Sequence, residues 1–200
     1  MSTPMSLLVA LRQPNQKGAW DRFVELYTPL LYRWAHQLES DPNSAADLVQ
    51  DIFVTLLQAL PAFSYESGKS FRAWLRTILT NQWRDRCRQR ARRMHHEEAA
   101  ARSAMSEEVP VDFLDESEYR RALIGRALEL IRPDFAAKTW QAFTEHGVQG
   151  RPAATVGAEL GLSANAVYQA TFRIMRRVRI ELNGLLDPVD GPTSEPAPGA

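Results

Sequence analysis

The amino-acid sequence predicts an all-α protein made of two small helical domains joined by a flexible linker, the second a helix-turn-helix. Apolar residues recur every three or four positions through most of residues 20–94 and 117–185. This is the period of one helix face, and no segment shows the alternation typical of a strand. Residues 95–115 lose the period and collect Glu, Ala and Ser, which indicates a mobile acidic linker.

Three helices are expected in the first domain, and three amphipathic helices with short loops can close one core. The first covers residues 20–38, and Pro29 inside it should bend the helix or break its hydrogen bonds locally. The second should begin near Ser44 as its N-cap and end at Pro61. The third should begin near Ser70 and turn strongly basic. The residues that the second helix should bury are Leu48, Val49, Ile52, Phe53, Leu56, Leu57 and Leu60.

Four shorter helices are expected in the second domain, with Pro133 starting one and Gly147 ending it. Their approximate ranges are 117–131, 134–145, 153–160 and 163–185. The predicted domain limits are 1–94, 95–115 for the linker, 116–186, and 187–200 for a disordered tail rich in proline. Because so polar a linker offers few residues to bury between the domains, we expect them to fold independently.

The charges are segregated along the chain, although 24 basic and 24 acidic residues leave no formal net charge. Residues 39–66 hold five acids and no bases, residues 69–93 hold nine bases and one acid, and residues 94–120 hold eight acids and two bases. Such segregation indicates separate surfaces for separate partners.

Cys87 is the single cysteine, which excludes an intramolecular disulfide and favours a reducing, cytoplasmic location. The first eleven residues lack the features of a secretory signal, and no apolar run reaches the length of a membrane span. Cys87, His95 and His96 lack the spacing of a structural zinc site. No phosphate-binding loop or catalytic motif is present either, so we expect no metal, no cofactor and no enzymatic activity.

The strongest local motif is a turn at residues 160–163, which separates two short helices. Gly161 can adopt a left-handed conformation and Ser163 can cap the next helix, so the segment predicts a helix-turn-helix with Val156 and Val167 in its core. Leu160 and Leu162 would complete that core. The outward residues of the second helix could meet base edges and phosphates: Asn165, Tyr168, Gln169, Phe172, Arg173, Arg176, Arg177 and Arg179. The alternative is an ordinary helical hairpin.

The basic third helix interleaves arginines with Trp74 and Trp83, a combination that suits single-stranded nucleic acid, whose bases stack on aromatic rings. The arginines are Arg72, Arg76, Arg84, Arg86, Arg88, Arg90, Arg92 and Arg93. The alternative is a solvated charged face with both tryptophans in the core. The spacing of Trp74 with Phe71 and Ile78 favours the core for Trp74, whereas Trp83 is evenly balanced.

Three motifs in this order resemble the extracytoplasmic-function (ECF) type of sigma factor, within the sigma-70 superfamily. They are DLVQDIF on the second helix, SFRAWLRTILTNQWRDRCR on the third and VGAELGLSANAVYQATFRIMRRVR at the helix-turn-helix. The resemblance covers most of residues 15–185. It implies a protein that binds core RNA polymerase and directs promoter recognition, DNA melting and transcription initiation.

The resemblance also implies site residues and partners. The clamp of the polymerase largest subunit would bind Asp47, Gln50 and Asp51. The minus-10 element would bind Phe63, Tyr65, Lys69, Arg72, Arg76, Asn81, Arg84 and Arg88. The minus-35 element would bind Asn165, Tyr168, Gln169, Phe172, Arg173, Arg176 and Arg177. Further partners are the flap of the second-largest subunit and an anti-sigma factor or kinase.

The chain departs from the family pattern at several positions. Gly157 stands where alanine is usual, and Ala170 and Phe172 stand where polar or basic residues are common. Ser44 stands where an acid is common, so added charge there, for example a phosphate at the helix N-terminus, would be expected to strengthen polymerase binding.

The sequence leaves two other classes of protein open. A helix-turn-helix repressor would use the first half for a ligand or for dimerisation, but such a half has no need of the arginines around SFRAW. A helical enzyme acting on RNA would need an acid, base or metal set that the sequence lacks.

Overall fold

The computed structural model describes residues 7–11, 13, 17–63, 70–94 and 115–186, and the described residues form helices and turns without a strand. The α-helices are α1 (Leu7–Leu11), α2 (Lys17–Leu38), α3 (Pro42–Ala59), α4 (Phe71–Met94), α5 (Glu116–Ile131), α6 (Ala137–Phe143), α7 (Ala153–Leu160) and α8 (Ala164–Glu181). The predicted tail, and the linker up to residue 114, lie outside the described residues.

The core of the first half is aromatic. Helix α2 packs on α3, and α3 packs on α4. The rings of Phe23 and Tyr27 on α2 meet the ring of Phe71 on α4 at centroid distances of 6.1 and 5.8 Å. All three residues are fully buried. The predicted three-helix core is therefore present, and Pro29 leaves α2 continuous rather than broken.

Helix α3 begins earlier than predicted. Asp41 is its N-cap and Pro42 is at the first helical position. The Asp41 carboxylate accepts hydrogen bonds from both the amide and the hydroxyl of Ser44, at 2.8 and 2.9 Å. The prediction that Ser44 caps this helix is therefore wrong, because the carboxylate three residues earlier satisfies the unpaired amides of the first turn.

Helix α3 with its short 3-10 extension, Pro42–Ala62, is long and apolar enough to cross a membrane by length and composition, with a mean hydropathy of 1.2. Its buried stripe, which includes Leu48, Ile52 and Leu56, packs inside the three-helix core. We therefore assign it as a core helix. Leu57 departs from prediction, because it is 55% exposed.

In the second half, α6, α7 and α8 pack together. Arg132–Asp134 forms a 3-10 turn, and α6 continues as a π-helical turn over Thr144–Val148. Gly147 lies inside that turn, so it does not end the helix as predicted. Gly150 follows with a positive φ of 73°, and its left-handed backbone redirects the chain towards α7.

The two halves share one hydrophobic core. Helix α5 packs on both α2 and α8. The hydroxyls of Tyr27 and Tyr119 are hydrogen-bonded at 2.8 Å in the interior, and Tyr119 donates to the Leu185 carbonyl at 2.8 Å. The expectation that few residues are buried between the halves is therefore wrong, because α5 supplies an apolar face that the linker's composition does not reveal. The predicted domain limits remain a prediction.

Candidate polymerase and nucleic-acid interfaces

The predicted polymerase-binding residues lie on the outer face of α3. Asp47 and Gln50 are exposed. Asp51 is half-exposed, and its Oδ2 accepts from Nε and Nη2 of Arg86 at 2.8 and 2.6 Å. Arg86 also donates to the main-chain carbonyl of Ser44 at 3.1 Å. Arg86 therefore joins α4 to Asp51 and to the start of α3, whereas Asp47 and Gln50 face solvent.

Two apolar residues extend the same face of α3. Val54 and Leu57 are 57% and 55% exposed, and they follow Asp47 and Gln50 at helical spacing. Sequence reasoning placed Leu57 inside, because its spacing from Ile52, Phe53 and Leu56 fits the buried stripe as well. The outer face of α3 is thus acidic at its start and apolar towards its end.

On α4 the predicted minus-10 residues divide between two faces. Asn81, Arg84 and Arg88 lie on one exposed stripe, separated by three and four residues. Arg88 pairs with Asp85 on the same helix. This stripe, which we call the α4 stripe, is polar and basic, as a surface that tracks a nucleic-acid strand requires.

Arg72 and Arg76 are half-buried on another side of α4. Arg72 binds Glu116 of α5, with Nη2 and Oε2 separated by 2.9 Å, so it connects the two halves. Among the more distal arginines, Arg90 holds the buried carboxylate of Glu39 with two hydrogen bonds of 2.9 and 2.7 Å. Those hydrogen bonds raise the pKa of Arg90. Arg72 and Arg90 of the basic helix α4 are therefore engaged in ion pairs within the protein.

The aromatic residues around α4 belong mainly to the core. The ring of Phe63 is buried and meets Phe71 and Trp74 at centroid distances of 5.5 and 4.6 Å. Trp83 is 6% exposed, so the core alternative holds for it, and Trp74 packs against the same core. Phe63 therefore belongs to the core, and its binding to DNA stays a prediction. Tyr65 and Lys69 lie outside the described residues.

The turn between α7 and α8 is built by three local features. Gly161 is left-handed, with φ 61° and ψ 44°. The Ser163 hydroxyl caps α8 by accepting from the amide of Ala166 at 3.1 Å. A small core forms beneath the turn from Ala142, Ala153, Val156, Val167 and Ala170, with Leu160, Leu162 and Ala164 packed against it. The predicted turn, cap and core are all present.

An ion-pair cluster supports α7 from outside. Arg151 binds Glu145 of the π-helical turn, and its Nη2 lies 2.5 Å from Oε1 of Glu159 on α7. Hydrogen bonding to Arg151 lowers the pKa of Glu159, and the same hydrogen bond raises the pKa of Arg151. Glu159 is exposed and Arg151 is partly exposed, so their ion pair orients α7 more than it stabilises the fold.

Most of the predicted minus-35 residues on α8 face outward. Asn165, Tyr168, Gln169, Phe172, Arg173 and Arg176 are exposed. Arg177 instead turns inward and pairs with Glu181 at 2.7 Å and Asp134 at 3.6 Å. Sequence reasoning missed Met175, which is 37% exposed on the outward face. The outward face of α8 is therefore available to a partner.

No group of three His, Cys, Asp or Glu side chains suited to a metal occurs in the part of the chain that the structure describes. Cys87 is half-buried on α4. His95 and His96, the other members of the zinc set considered from sequence, lie outside the described residues.

Comparison with known proteins matches residues 23–93 to sigma-70 region 2. The chain is 28% identical over 167 residues to the ECF RNA polymerase sigma factor SigE of Mycolicibacterium smegmatis, covering 80% of this chain and 60% of that protein. It is 26% identical over 176 residues to the ECF RNA polymerase sigma factor BldN of Streptomyces coelicolor, covering 88% and 64%. The chain thus spans just under two thirds of the length of these relatives.

A solved structure of CnrH in complex with the cytosolic domain of CnrY aligns with 86% of this chain and 92% of that chain, at 23% identity and a TM-score of 0.34. The segment that matches sigma-70 region 2 runs from within α2 to near the end of α4. Over most of its length the chain is similar to ECF sigma factors, and over residues 23–93 it is similar to sigma-70 region 2.

Proposed function

We propose that this protein is a sigma factor, which binds core RNA polymerase and directs promoter recognition, DNA melting and transcription initiation in the cytoplasm. The observation that carries the proposal is the α4 stripe, Asn81, Arg84 and Arg88, exposed within the segment that matches sigma-70 region 2. The protein would act by binding and positioning, as a regulatory protein rather than an enzyme.

The roles divide between surfaces. The outer face of α3, with Asp47 and Gln50 exposed, would bind the clamp of the largest polymerase subunit. The α4 stripe would hold the melted minus-10 strand, and the outward face of α8 would read the minus-35 duplex. The flap of the second-largest subunit would bind the second half, and an anti-sigma protein or kinase would regulate the factor.

The stripe offers one side chain able to discriminate bases and one able to hold the backbone. The Asn81 amide has both donors and acceptors, whereas the Arg84 guanidinium has only donors and a charge. A base contact discriminates between sequences, whereas a phosphate contact weakens binding to all sequences alike. Arg84 is the arginine to compare with Asn81, because it is exposed. Arg90 does not suit this comparison, because it is hydrogen-bonded to Glu39.

The test is run-off transcription by core polymerase with the purified protein on a promoter library, followed by Asn81→Ala and Arg84→Ala on matched and mismatched minus-10 sequences. Asn81→Ala should reduce the preference for the matched over the mismatched template by about tenfold or more. Arg84→Ala should reduce transcription from the matched and the mismatched template by the same factor. If the protein binds a duplex operator by itself and gives no polymerase-dependent initiation, the repressor alternative holds instead.

A further inference from the structure

An apolar stripe runs along the outward face of α8. Tyr168, Phe172 and Met175 are 56%, 60% and 37% exposed, and their spacing of four and three residues places them on one stripe. Single exposed apolar residues are common on protein surfaces. A stripe of three on the helix that a helix-turn-helix inserts into a groove indicates a contact with an apolar group of the partner.

The charge around this stripe indicates what the partner is. Arg173, Arg176 and Arg179 are exposed beside it. The single acid of α8 is Glu181, which is 6% exposed and pairs with Arg22 and Arg177. The outward face therefore presents positive charge and no carboxylate, and it is complementary to the phosphates that line a DNA groove.

The apolar group that a major groove presents is the C5-methyl of thymine, and aromatic or aliphatic side chains contact it. Asn165 and Gln169 are exposed next to the stripe, and amide side chains pair with the N6 and N7 edge of adenine. Tyr168 and Phe172 lie in the first half of α8, the part of a recognition helix that reaches base edges. Side chains suited to the adenine edge and side chains suited to the thymine methyl group therefore lie next to each other on α8.

Tyr168 is held in place before any DNA binds. Its ring meets the His146 ring edge-on, at a centroid distance of 5.1 Å and an interplanar angle of 83°. His146 is fixed in turn, since its Nδ1 lies 2.7 Å from the main-chain carbonyl of Arg151. The His146 ring therefore orients Tyr168 beside Phe172 in the free protein, which reduces the side-chain entropy lost on binding.

We propose that Phe172, flanked by Tyr168, contacts thymine methyl groups in the upstream promoter element and so makes the protein specific for an element containing A·T pairs at those positions. The inference rests on the proposed function and deepens it, because it names the chemical group that the reading helix recognises.

The experiment starts from the upstream sequence that polymerase carrying this protein selects from a randomised library. Each thymine in that sequence is then replaced by deoxyuridine, which lacks only the methyl group. At one or two positions the replacement should weaken promoter binding about three- to fivefold, the effect expected for one buried methyl. Phe172→Ser should bind the thymine and deoxyuridine duplexes equally.

Val148→Ser is the matched control, because Val148 is 64% exposed outside α8 and its loss should leave the methyl effect unchanged. If an upstream sequence is selected but no thymine is sensitive to deoxyuridine, the methyl contact is refuted and the stripe serves a protein partner. If polymerase carrying this protein selects no upstream sequence at all, the proposed function fails and the inference fails with it.

Discussion

The main-chain carbonyl of Glu25 accepts a hydrogen bond of 3.0 Å from Nε of Arg126, 101 residues later in the chain. In an uninterrupted helix residue 29 would give that carbonyl its donor, but Pro29 has no N–H. Helix α2 nevertheless continues through Pro29 to Leu38. Arg126 on α5 therefore supplies a donor to the carbonyl that Pro29 leaves without its helical partner.

This relationship predicts that Arg126 and Pro29 are energetically coupled. Arg126→Ala should lower the free energy of unfolding by about 1 kcal/mol, the usual contribution of one hydrogen bond. In a Pro29→Ala background residue 29 has an N–H for Glu25, so the same Arg126 substitution should have almost no effect. Urea unfolding of the four proteins measures the coupling.

The control is Glu129→Ala, since Arg126 also pairs with the exposed Glu129 at 2.8 Å. Loss of that surface pair should change the free energy of unfolding by no more than about 0.5 kcal/mol. Equal effects of Arg126→Ala in both backgrounds would show that the Glu25 carbonyl does not depend on Arg126.

A second contact between the halves should contribute more to stability. Glu181 is 6% exposed and binds Nε of Arg22 at 2.5 Å and Nη1 of Arg177 at 2.7 Å. Glu181→Gln should lower the free energy of unfolding by about 2–3 kcal/mol, at or below the lower end for a broken buried pair because both arginines keep some solvent. A circular-dichroism melt should show one transition at a lower temperature.

Glu25→Gln is the matched control for Glu181→Gln, because Glu25 is 55% exposed and lies 3.7 Å from Arg22. It should change stability by less than about 0.5 kcal/mol. Two separate melting transitions in the wild type, with only the second moved by Glu181→Gln, would mean that the halves do not share one cooperative core.

Substitutions of the two acids on the outer face of α3 should have different effects on polymerase binding and on stability. Asp47→Ala should weaken binding to core polymerase several-fold while leaving stability unchanged, because Asp47 is exposed. Asp51→Ala should also lower the free energy of unfolding, by about 1 kcal/mol, because it removes the partner of Arg86. Titration with core polymerase and urea unfolding together distinguish the two. If Asp47→Ala lowers the free energy of unfolding and leaves polymerase binding unchanged, Asp47 is excluded from the docking face.

The N-cap of α3 predicts a dependence of stability on pH. Hydrogen bonds from Ser44, from its amide first and then its hydroxyl, hold the pKa of Asp41 below its ordinary value of 3.8. A depressed folded-state pKa stabilises the fold above the unfolded-state value, and the gain disappears as pH falls through the folded-state pKa. Asp41→Asn should keep the cap at neutral pH but flatten the loss of stability in this acidic window. At pH 7 Ser44→Ala should lose less stability than Asp41→Ala, because it keeps the amide that donates to Asp41. A larger loss from Ser44→Ala would restore Ser44 as the cap.

Local signals predicted much of this fold. The three-four spacing located the helices, and α7 has the predicted range. Gly161 and Ser163 were predictable because a left-handed glycine and a capping hydroxyl are properties of single residues. A signal for the true start of α3 was also present, since Pro42 favours the first helical position and Asp41 precedes it.

Contacts between distant segments left no such signal. Periodicity does not say which side of the basic helix α4 meets α5, so Arg72 and Arg84 look alike in sequence, although Arg72 binds Glu116 and Arg84 is exposed. The inward orientation of Arg177 was unpredictable for the same reason, because its partner Asp134 lies in another element. Charge alone therefore overestimates the basic surface available to nucleic acid.

Gly157 stands where alanine is usual in the ECF sigma factors that the sequence resembles, and the structure supplies a reason. A Cβ built on Gly157 would lie 2.7 Å from the main-chain oxygen of Leu162, with main-chain atoms of Ser163 and Ala164 at 3.3 and 3.4 Å. These atoms form the turn between α7 and α8, so they cannot move aside as a flexible side chain could. Gly157→Ala should therefore lower the free energy of unfolding by about 1–3 kcal/mol, the range for overpacking, and weaken binding to the upstream element.

Gly125→Ala is the matched control, because Gly125 is exposed within α5 and a Cβ there would meet nothing within 4 Å. It should raise the free energy of unfolding by up to about 1 kcal/mol, the difference in helix propensity between alanine and glycine. Thermal melts of the two variants, with upstream binding measured on the selected promoter, compare the positions directly. If Gly157→Ala stabilises the protein as Gly125→Ala does, the turn can open to admit a methyl group, and the glycine has no packing role.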